Sequence, residues 1–181
     1  FNDRSKIDLS LYHGKDSWDV KDDYDESKAD GYQPNQSYDK GLTKSQLDWG
    51  NFNVALNWNY LFSPKLFSNI TAVYSHNRSK LYSLDDERYI NPSGENATSV
   101  THFEHGYTST IYDAGYRLAF DYRPNPRHHF RFGSDYTMHL FRPQTAMQLD
   151  YTGYEGNASA QVDTIRMNSS NRHVAHEWTV Y

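Results

Sequence analysis

The chain has 181 residues, with 18 Lys and Arg against 23 Asp and Glu, for a formal net charge of −5. A mildly acidic balance without any basic stripe argues against a nucleic-acid partner. There is no cysteine, which excludes disulfides, thiolate metal sites and cysteine nucleophiles. Hydrophobic residues make up only 36% of the chain, yet aromatics reach 16%, with 16 Tyr and 4 Trp. No run of about 18 apolar residues exists, so a transmembrane helix is excluded. A β-barrel is not, because it needs an apolar residue only at every second position. The aromatic excess fits the interfacial girdles of such a barrel, and equally a carbohydrate-binding β-protein.

In chain order, the first predicted strand covers residues 5–13, where Ile7, Leu9 and Leu11 alternate with Asp8, Ser10 and Tyr12. Gly14 to Gln46 is polar and rich in Gly, Asn and Ser, and reads as a long loop. Leu47 to Leu61 is the second strand. Phe52, Val54, Leu56, Trp58 and Tyr60 fall on one side, and Asn51, Asn53, Ala55, Asn57 and Asn59 on the other. Leu66 to Asn77 is the third, with Ile70, Ala72 and Tyr74 opposite Asn69, Thr71 and Ser75. A three-residue loop, Ser63-Pro64-Lys65, would put Trp58 and Ile70 on a shared face, whereas one residue more would swap the faces. Arg78 to Tyr107 reads as a second long loop, with a turn at Asn91-Pro92-Ser93-Gly94.

The clearest stretch runs from Ile111 to Arg142 and reads as one long hairpin. Tyr112, Ala114, Tyr116, Leu118, Phe120 and Tyr122 alternate with Asp113, Gly115, Arg117, Ala119 and Asp121. Beyond Arg123-Pro124-Asn125-Pro126-Arg127, Phe130, Phe132, Tyr136, Met138 and Leu140 alternate with Arg131, Gly133, Asp135, Thr137 and His139. A five-residue turn here pairs Phe120 with Phe130. A strand of about 12 residues spans roughly 40 Å, and tilted by ~45° it covers about 28 Å of height, close to a bilayer's hydrocarbon core. Pro143 to His173 reads as a third long loop, and Val174 to Tyr181 as a sixth strand with Val174, Trp178 and Val180 as its apolar members.

Short and long joins thus alternate, which is the asymmetry of outer-membrane barrels with short periplasmic turns and long outer loops. Trp58, Tyr60, Phe62, Phe67, Phe120, Tyr122, Phe130 and Phe132 gather beside the short turns, as an interfacial girdle would. The fold expected is all-β: an antiparallel meander of about six long strands forming a segment of a transmembrane barrel. Trp58, Tyr60, Tyr116, Leu118, Phe120, Tyr122, Phe130 and Phe132 are the candidates for facing lipid or the girdle. Asn51, Asn53, Asn57, Asn59, Arg117, Asp121, Arg131 and Asp135 are the candidates for facing the lumen.

Gly50 to Trp58, Leu66 to Ser75, His128 to Tyr136 and His176 to Tyr181 resemble strands from the barrel of TonB-dependent outer-membrane receptors. The likeness is closest to the large nutrient-uptake receptors with a carboxypeptidase-like N-terminal extension, and it covers the strands and not the loops. It implies a barrel of about 22 strands, closed by a plug domain and driven by TonB from the periplasm. On that reading residues 1–181 are a slice of barrel wall without the plug, in the outer membrane of a Gram-negative bacterium. The start at Phe1 without methionine and the stop at Tyr181 inside a strand fit an internal piece. Its partners would be outer-membrane lipid, the plug and TonB, and a small ligand such as a siderophore, cobalamin, an oligosaccharide or a peptide.

Other chemistry finds little footing. His102-Phe103-Glu104-His105 offers three ligating side chains but no established metal spacing. Asp22-Asp23-Tyr24-Asp25-Glu26 is acidic but lacks the glycine and closing glutamate of an EF-hand loop. His128-His129 reads as a turn-flanking pair. No nucleophile elbow and no phosphate cradle is present, so neither an enzyme nor a bound cofactor is expected. Tyr24, Tyr32, Tyr38, Tyr82, Tyr89, Tyr151 and Tyr154 could stack on a ligand from the loops. Two alternatives to the receptor remain at this stage: a soluble β-sheet domain that binds glycans, and a porin without a plug.

Overall fold

Strict two-residue alternation demands a sheet, and the computed structural model, which describes residues 3–92, 98–153 and 161–181, is a single antiparallel sheet. β1 spans Ser5–Asp25, β2 Tyr38–Ser63, β3 Leu66–Ile90, β4 Thr98–Asn125 and β5 His128–Gly153. β6 spans Gln161–Ser170 and β7 His173–Val180. One 3-10 turn, Glu26–Lys28, follows β1. Each of the first six strands pairs with its sequence neighbour, and β7 also lies along β5.

β6 and β7 are two halves of one rank. Gln144 faces Ser170 and Phe141 faces His173, so the register along β5 is continuous across the break. The break falls at Asn171 and Arg172, opposite Arg142 and Pro143. The Asn171 N–H donates to the Pro143 carbonyl at 3.0 Å, but proline has no N–H with which to answer. The meander therefore has six ranks. Among the described residues it is open: β1 pairs only with β2, and β6 and β7 pair only with β5.

The segments expected to be long loops are mostly strand. β1 runs on to Asp25, β2 begins at Tyr38, β3 reaches Ile90, β4 begins at Thr98 and β5 reaches Gly153. β1 to β5 are 21 to 28 residues long, several times an ordinary strand. The extensions carry no apolar alternation strong enough to announce them. A ladder already in register continues through Ser, Thr, Lys and Asp because each added pair satisfies two more backbone groups. The sixth rank likewise begins at Gln161 rather than Val174. The Asn91–Gly94 turn extends beyond the described residues.

Both short turns are also tighter than expected. The β2–β3 turn has Pro64 and Lys65 at its tip, with Ser63 opposite Leu66 and a register shift between Leu61 and Ser63. The β4–β5 turn has Pro126 and Arg127 at its tip, with Asn125 opposite His128 and a shift between Tyr122 and Asn125. Phe120 consequently pairs with Phe132, not Phe130, and Tyr122 pairs with Phe130. A two-residue slip preserves parity, so no side chain changes face.

The sheet is a single layer. Among the described residues no hydrophobic side chain is buried, and the only buried residue is Ser68. Leu11 is 66% exposed and Trp178 72% on one side, and Tyr12 58% and Val73 43% on the other, so the described residues cover neither surface.

Candidate functional site

With paired residues sharing a face, the register divides the wall into two surfaces. One row reads Ile7, Trp58, Ile70, Leu118, Ser134 and Val180 across the strands. The next reads Leu9, Leu56, Ala72, Tyr116, Tyr136 and Trp178, and the one after it Leu11, Val54, Tyr74, Ala114, Met138 and His176. Towards the short turns the same face carries Tyr60 with Ser68, Phe120 with Phe132, and Tyr122 with Phe130. Trp58, Tyr60, Tyr116, Leu118, Phe120, Tyr122, Phe130 and Phe132 all lie on this band face. Phe67 does not; it pairs with Leu61 and Asp121 on the opposite side.

The band ends at a shared row. Its last members are His13, Phe52, His76, Tyr112, Leu140 and Val174. The next row on the same face is Lys15, Gly50, Arg78, Thr110 and Arg142, and beyond it come Ser17, Asp48, Lys80, Thr108 and Gln144. In β3 the band covers Leu66 to His76 and in β4 Tyr112 to Tyr122, 11 residues each. Eleven residues extend roughly 35 Å along a strand, or about 25 Å of height at the ~40–45° tilt of barrel strands.

Both indoles and one tyrosine–histidine pair within the band are partnered, whereas His76 Nε2 in its last row is not. Trp58 Nε1 donates to Ser5 Oγ at 3.0 Å and Trp178 Nε1 to Ser134 Oγ at 2.8 Å. Tyr136 Oη and His176 Nδ1 lie 2.9 Å apart. Trp18 and Trp49, beyond the band on the other face, make no such bond among the described residues. An indole N–H open to water needs no protein partner, whereas one facing hydrocarbon does.

The opposite face carries Asn53, Asn57, Asn59, Arg117, Asp121, Arg131 and Asp135 at positions level with the band, and Asn51 one position past its last row. Asn57 Nδ2 donates to Thr71 Oγ1 at 2.8 Å, Asn59 Nδ2 to Asn57 Oδ1 at 2.7 Å, and Asn69 Nδ2 to Asn59 Oδ1 at 2.7 Å. Arg117 Nε meets Asp135 Oδ1 at 3.1 Å. Asp121 Oδ1 is held by His129 Nε2 at 2.7 Å and Arg131 Nε at 3.2 Å. Asp113 joins His139 Nδ1 at 2.7 Å and accepts from Ser75 Oγ at 3.0 Å. Thr71, Asn69, Ser75, Asp113 and His139 were not among the residues singled out from sequence. Cross-strand register was the signal that could have found them, since Asn57 opposite Thr71 follows directly from Trp58 opposite Ile70.

Beyond the band the polarity of the wall reverses. The band face turns charged, while the other face gains Trp18, Leu47, Leu81 and Tyr107 in one row, and Phe103, Leu149 and Ile165 in another. In this region Tyr82 has its hydroxyl pKa raised by burial first and by Glu104 second. Asp150 is held below its ordinary value, chiefly by the hydrogen bond from Gln148 and next by that from Thr164.

The tempting ligand clusters disperse along the strands. His102 and Glu104 share one face with Asp86, and His102 Nδ1 meets Asp86 Oδ1 at 2.6 Å, while His105 points to the other. Asp22 and Asp23 likewise alternate across the wall. No group of three or more metal-ligating side chains forms among the described residues. Of the loop tyrosines, Tyr32 and Tyr38 pack edge to face with ring centroids 5.4 Å apart, and Tyr24, Tyr82, Tyr89 and Tyr151 stand on strands. Tyr154 lies outside the described residues.

Among the described residues no helix is long and apolar enough to cross a membrane, which says nothing of a crossing by strands. No protein-family model matches the chain, and no curated protein matches it in sequence. Fold and surfaces together define its class: a single-layer antiparallel β-wall, apolar over a fixed height on one side and hydrogen-bonded polar on the other.

Proposed function

We propose that the chain is a segment of the wall of a transmembrane β-barrel, in the outer membrane of a Gram-negative bacterium, from a TonB-dependent receptor that takes up a nutrient ligand. The observation that carries the membrane reading is the apolar band. It is 11 residues long in β3 and β4, ends on one cross-strand row, and is covered by none of the described residues. A soluble sheet with such a surface would need a second layer. A barrel offers the bilayer in its place and closes the two open edges with further strands.

The receptor rather than porin assignment rests on the resemblance of the strands at Gly50–Trp58, Leu66–Ser75, His128–Tyr136 and His176–Tyr181. In such a receptor the ladder of Asn57, Asn59, Asn69 and Thr71 and the Arg117–Asp135 pair face the lumen, where plug, water and substrate meet the wall. Transport itself belongs to the whole barrel with its plug and TonB.

Single cysteines introduced into the full-length protein test the alternation. In cells treated with a water-soluble maleimide, Leu118→Cys and Phe120→Cys stay unlabelled, while Arg117→Cys and Asp121→Cys react. Equal labelling of adjacent positions rules out a bilayer on one side and water on the other. Protection of Leu118→Cys in a soluble, detergent-free preparation would instead show a second protein layer and favour the glycan-binding domain.

A further inference from the structure

We propose that the notch over Gly50 is a binding site for the phosphate of a membrane lipid headgroup. The proposal rests on the reading of the apolar band as the lipid-facing surface. Gly50 stands between Lys15 and Arg78 in the first row beyond the band, and Lys80 follows Arg78 on the same face of β3. With strands about 4.8 Å apart, Lys15 and Arg78 sit roughly 10 Å from each other across a residue that has no side chain. The gap is an open notch of about 260 Å³, lined by Lys15, Arg78, Lys80, Asp48 and His76 among others.

Its charge is unspent. Lys15, Arg78 and Lys80 make no ion pair among the described residues, and all three are exposed. Level with the band, by contrast, cations are neutralised by the wall itself: Lys6 by Asp8 at 3.0 Å, Arg117 by Asp135 and Arg131 by Asp121. Asp48, the carboxylate lining the notch, already accepts from Gln46 Nε2 at 3.1 Å. Below the cations, His76 stacks on Tyr112 with centroids 4.6 Å apart, and His76 Nε2 is buried without a hydrogen-bond partner.

Position selects the ligand. The cations lie one and two rows past the last apolar row, where hydrocarbon gives way to headgroups. A guanidinium and two ammonium groups bind phosphate oxygens by charge-assisted hydrogen bonds, and their aliphatic stems can lie along the band's edge. A lipid whose acyl chains rest on Phe52 and Tyr74 would carry its phosphate to this height.

The test uses the full-length protein in dodecylmaltoside micelles and bisphosphorylated lipid A as the probe, with affinity read by native mass spectrometry. Each cation near a membrane surface contributes about fivefold, so Lys15→Gln, Arg78→Gln and Lys80→Gln together lower affinity about a hundredfold. Gly50→Val, whose Cβ meets only ordinary contacts at the Gly14 carbonyl and Lys15, narrows the notch and lowers affinity about tenfold while leaving the charge intact. Lys15→Arg with Lys80→Arg, which keeps all three positive charges, retains wild-type affinity. Dephosphorylated lipid A binds no better than the triple variant. Unchanged affinity in the triple variant, or wild-type protein that does not distinguish the dephosphorylated lipid, overturns the proposal. Competition by millimolar inorganic phosphate as effective as that of the lipid would make the site one for a free anion and overturn its assignment to lipid. Quenching of tryptophan by brominated lipid, measured on the same preparation in vesicles, separates the two levels. Quenching without phosphate dependence defeats the notch alone, and absence of quenching defeats the membrane reading beneath it.

Discussion

Replacing Leu118 by Arg probes the band at its most demanding point. Leu118 lies four residues from Tyr122 and six from Tyr112, the two ends of the apolar run in β4. At ~3.3 Å per residue these are about 13 and 20 Å along the strand, which places Leu118 roughly 10 Å of height inside the nearer edge. An arginine on the lipid face near the midplane of a barrel costs about 2–4 kcal/mol, and one near the interface about 0–1 kcal/mol. Leu118→Arg is therefore expected to destabilise the full-length protein in phospholipid vesicles by about 3 kcal/mol, and Tyr122→Arg by about 1 kcal/mol or less. Ala119→Arg, one residue on and on the opposite face, enters a row with Asn59 and Asn69 and is expected to cost about as little as Tyr122→Arg. Reversible urea unfolding from vesicles supplies the free energies. Equal costs at 118 and 122 would refute a depth-dependent environment, and a larger cost at 119 than at 118 would invert the faces.

Two further outcomes follow from particular contacts. Gly133 exchanges hydrogen bonds with Tyr181, at 2.9 and 3.2 Å, and the Tyr181 ring lies over it. A Cβ there would stand 2.7 Å from that ring and collide with the Leu118 carbonyl, so Gly133→Val is expected to cost about 1–3 kcal/mol in the same unfolding assay. At the β1–β2 tip the Asp25 carboxylate accepts from the Ser27 N–H at 3.2 Å and Ser27 Oγ at 2.5 Å, and meets Lys28 Nζ at 3.3 Å. The Ser27 hydrogen bond is the chief cause of its lowered pKa, with Lys28 adding to it. The stabilisation is thus complete above the ordinary aspartate range and fades as pH falls through the lowered value. The amide protection factor of Ser27 should drop over that acid window, and Asp25→Asn should remove the pH dependence.

The sequence made the band legible and hid what lies beyond it. From Phe52 to Tyr60 and from Tyr112 to Tyr122 one face is apolar without interruption, so the period of two declares itself. In the outer half of β3, Leu81 and Leu84 point to opposite faces and the residues between them are polar, so neither face dominates. Those segments are strands because the ladder carries them, a non-local cause that local pattern does not record. The turns misled for a simpler reason: Pro124 and Pro126 spread the turn signal over five residues, though only Pro126 and Arg127 form the tip. Side-chain facing survived that error because it depends on parity alone. The polar ladder of Asn57, Asn59, Asn69 and Thr71 needed the exact register. So did the cationic row of Lys15 and Arg78, whose members are 63 positions apart in the chain.

The most direct test of a lipid-facing wall is tryptophan quenching by brominated lipids in vesicles that contain the full-length protein. Of the four tryptophans in this chain, Trp58 and Trp178 lie within the band, and Trp18 and Trp49 lie beyond it on the other face. With each studied as the sole tryptophan, Trp58 and Trp178 should be strongly quenched by bromines on the acyl chains, and Trp18 and Trp49 should not. Uniform quenching of all four, or none at Trp58 and Trp178, would contradict a wall whose apolar band meets the bilayer.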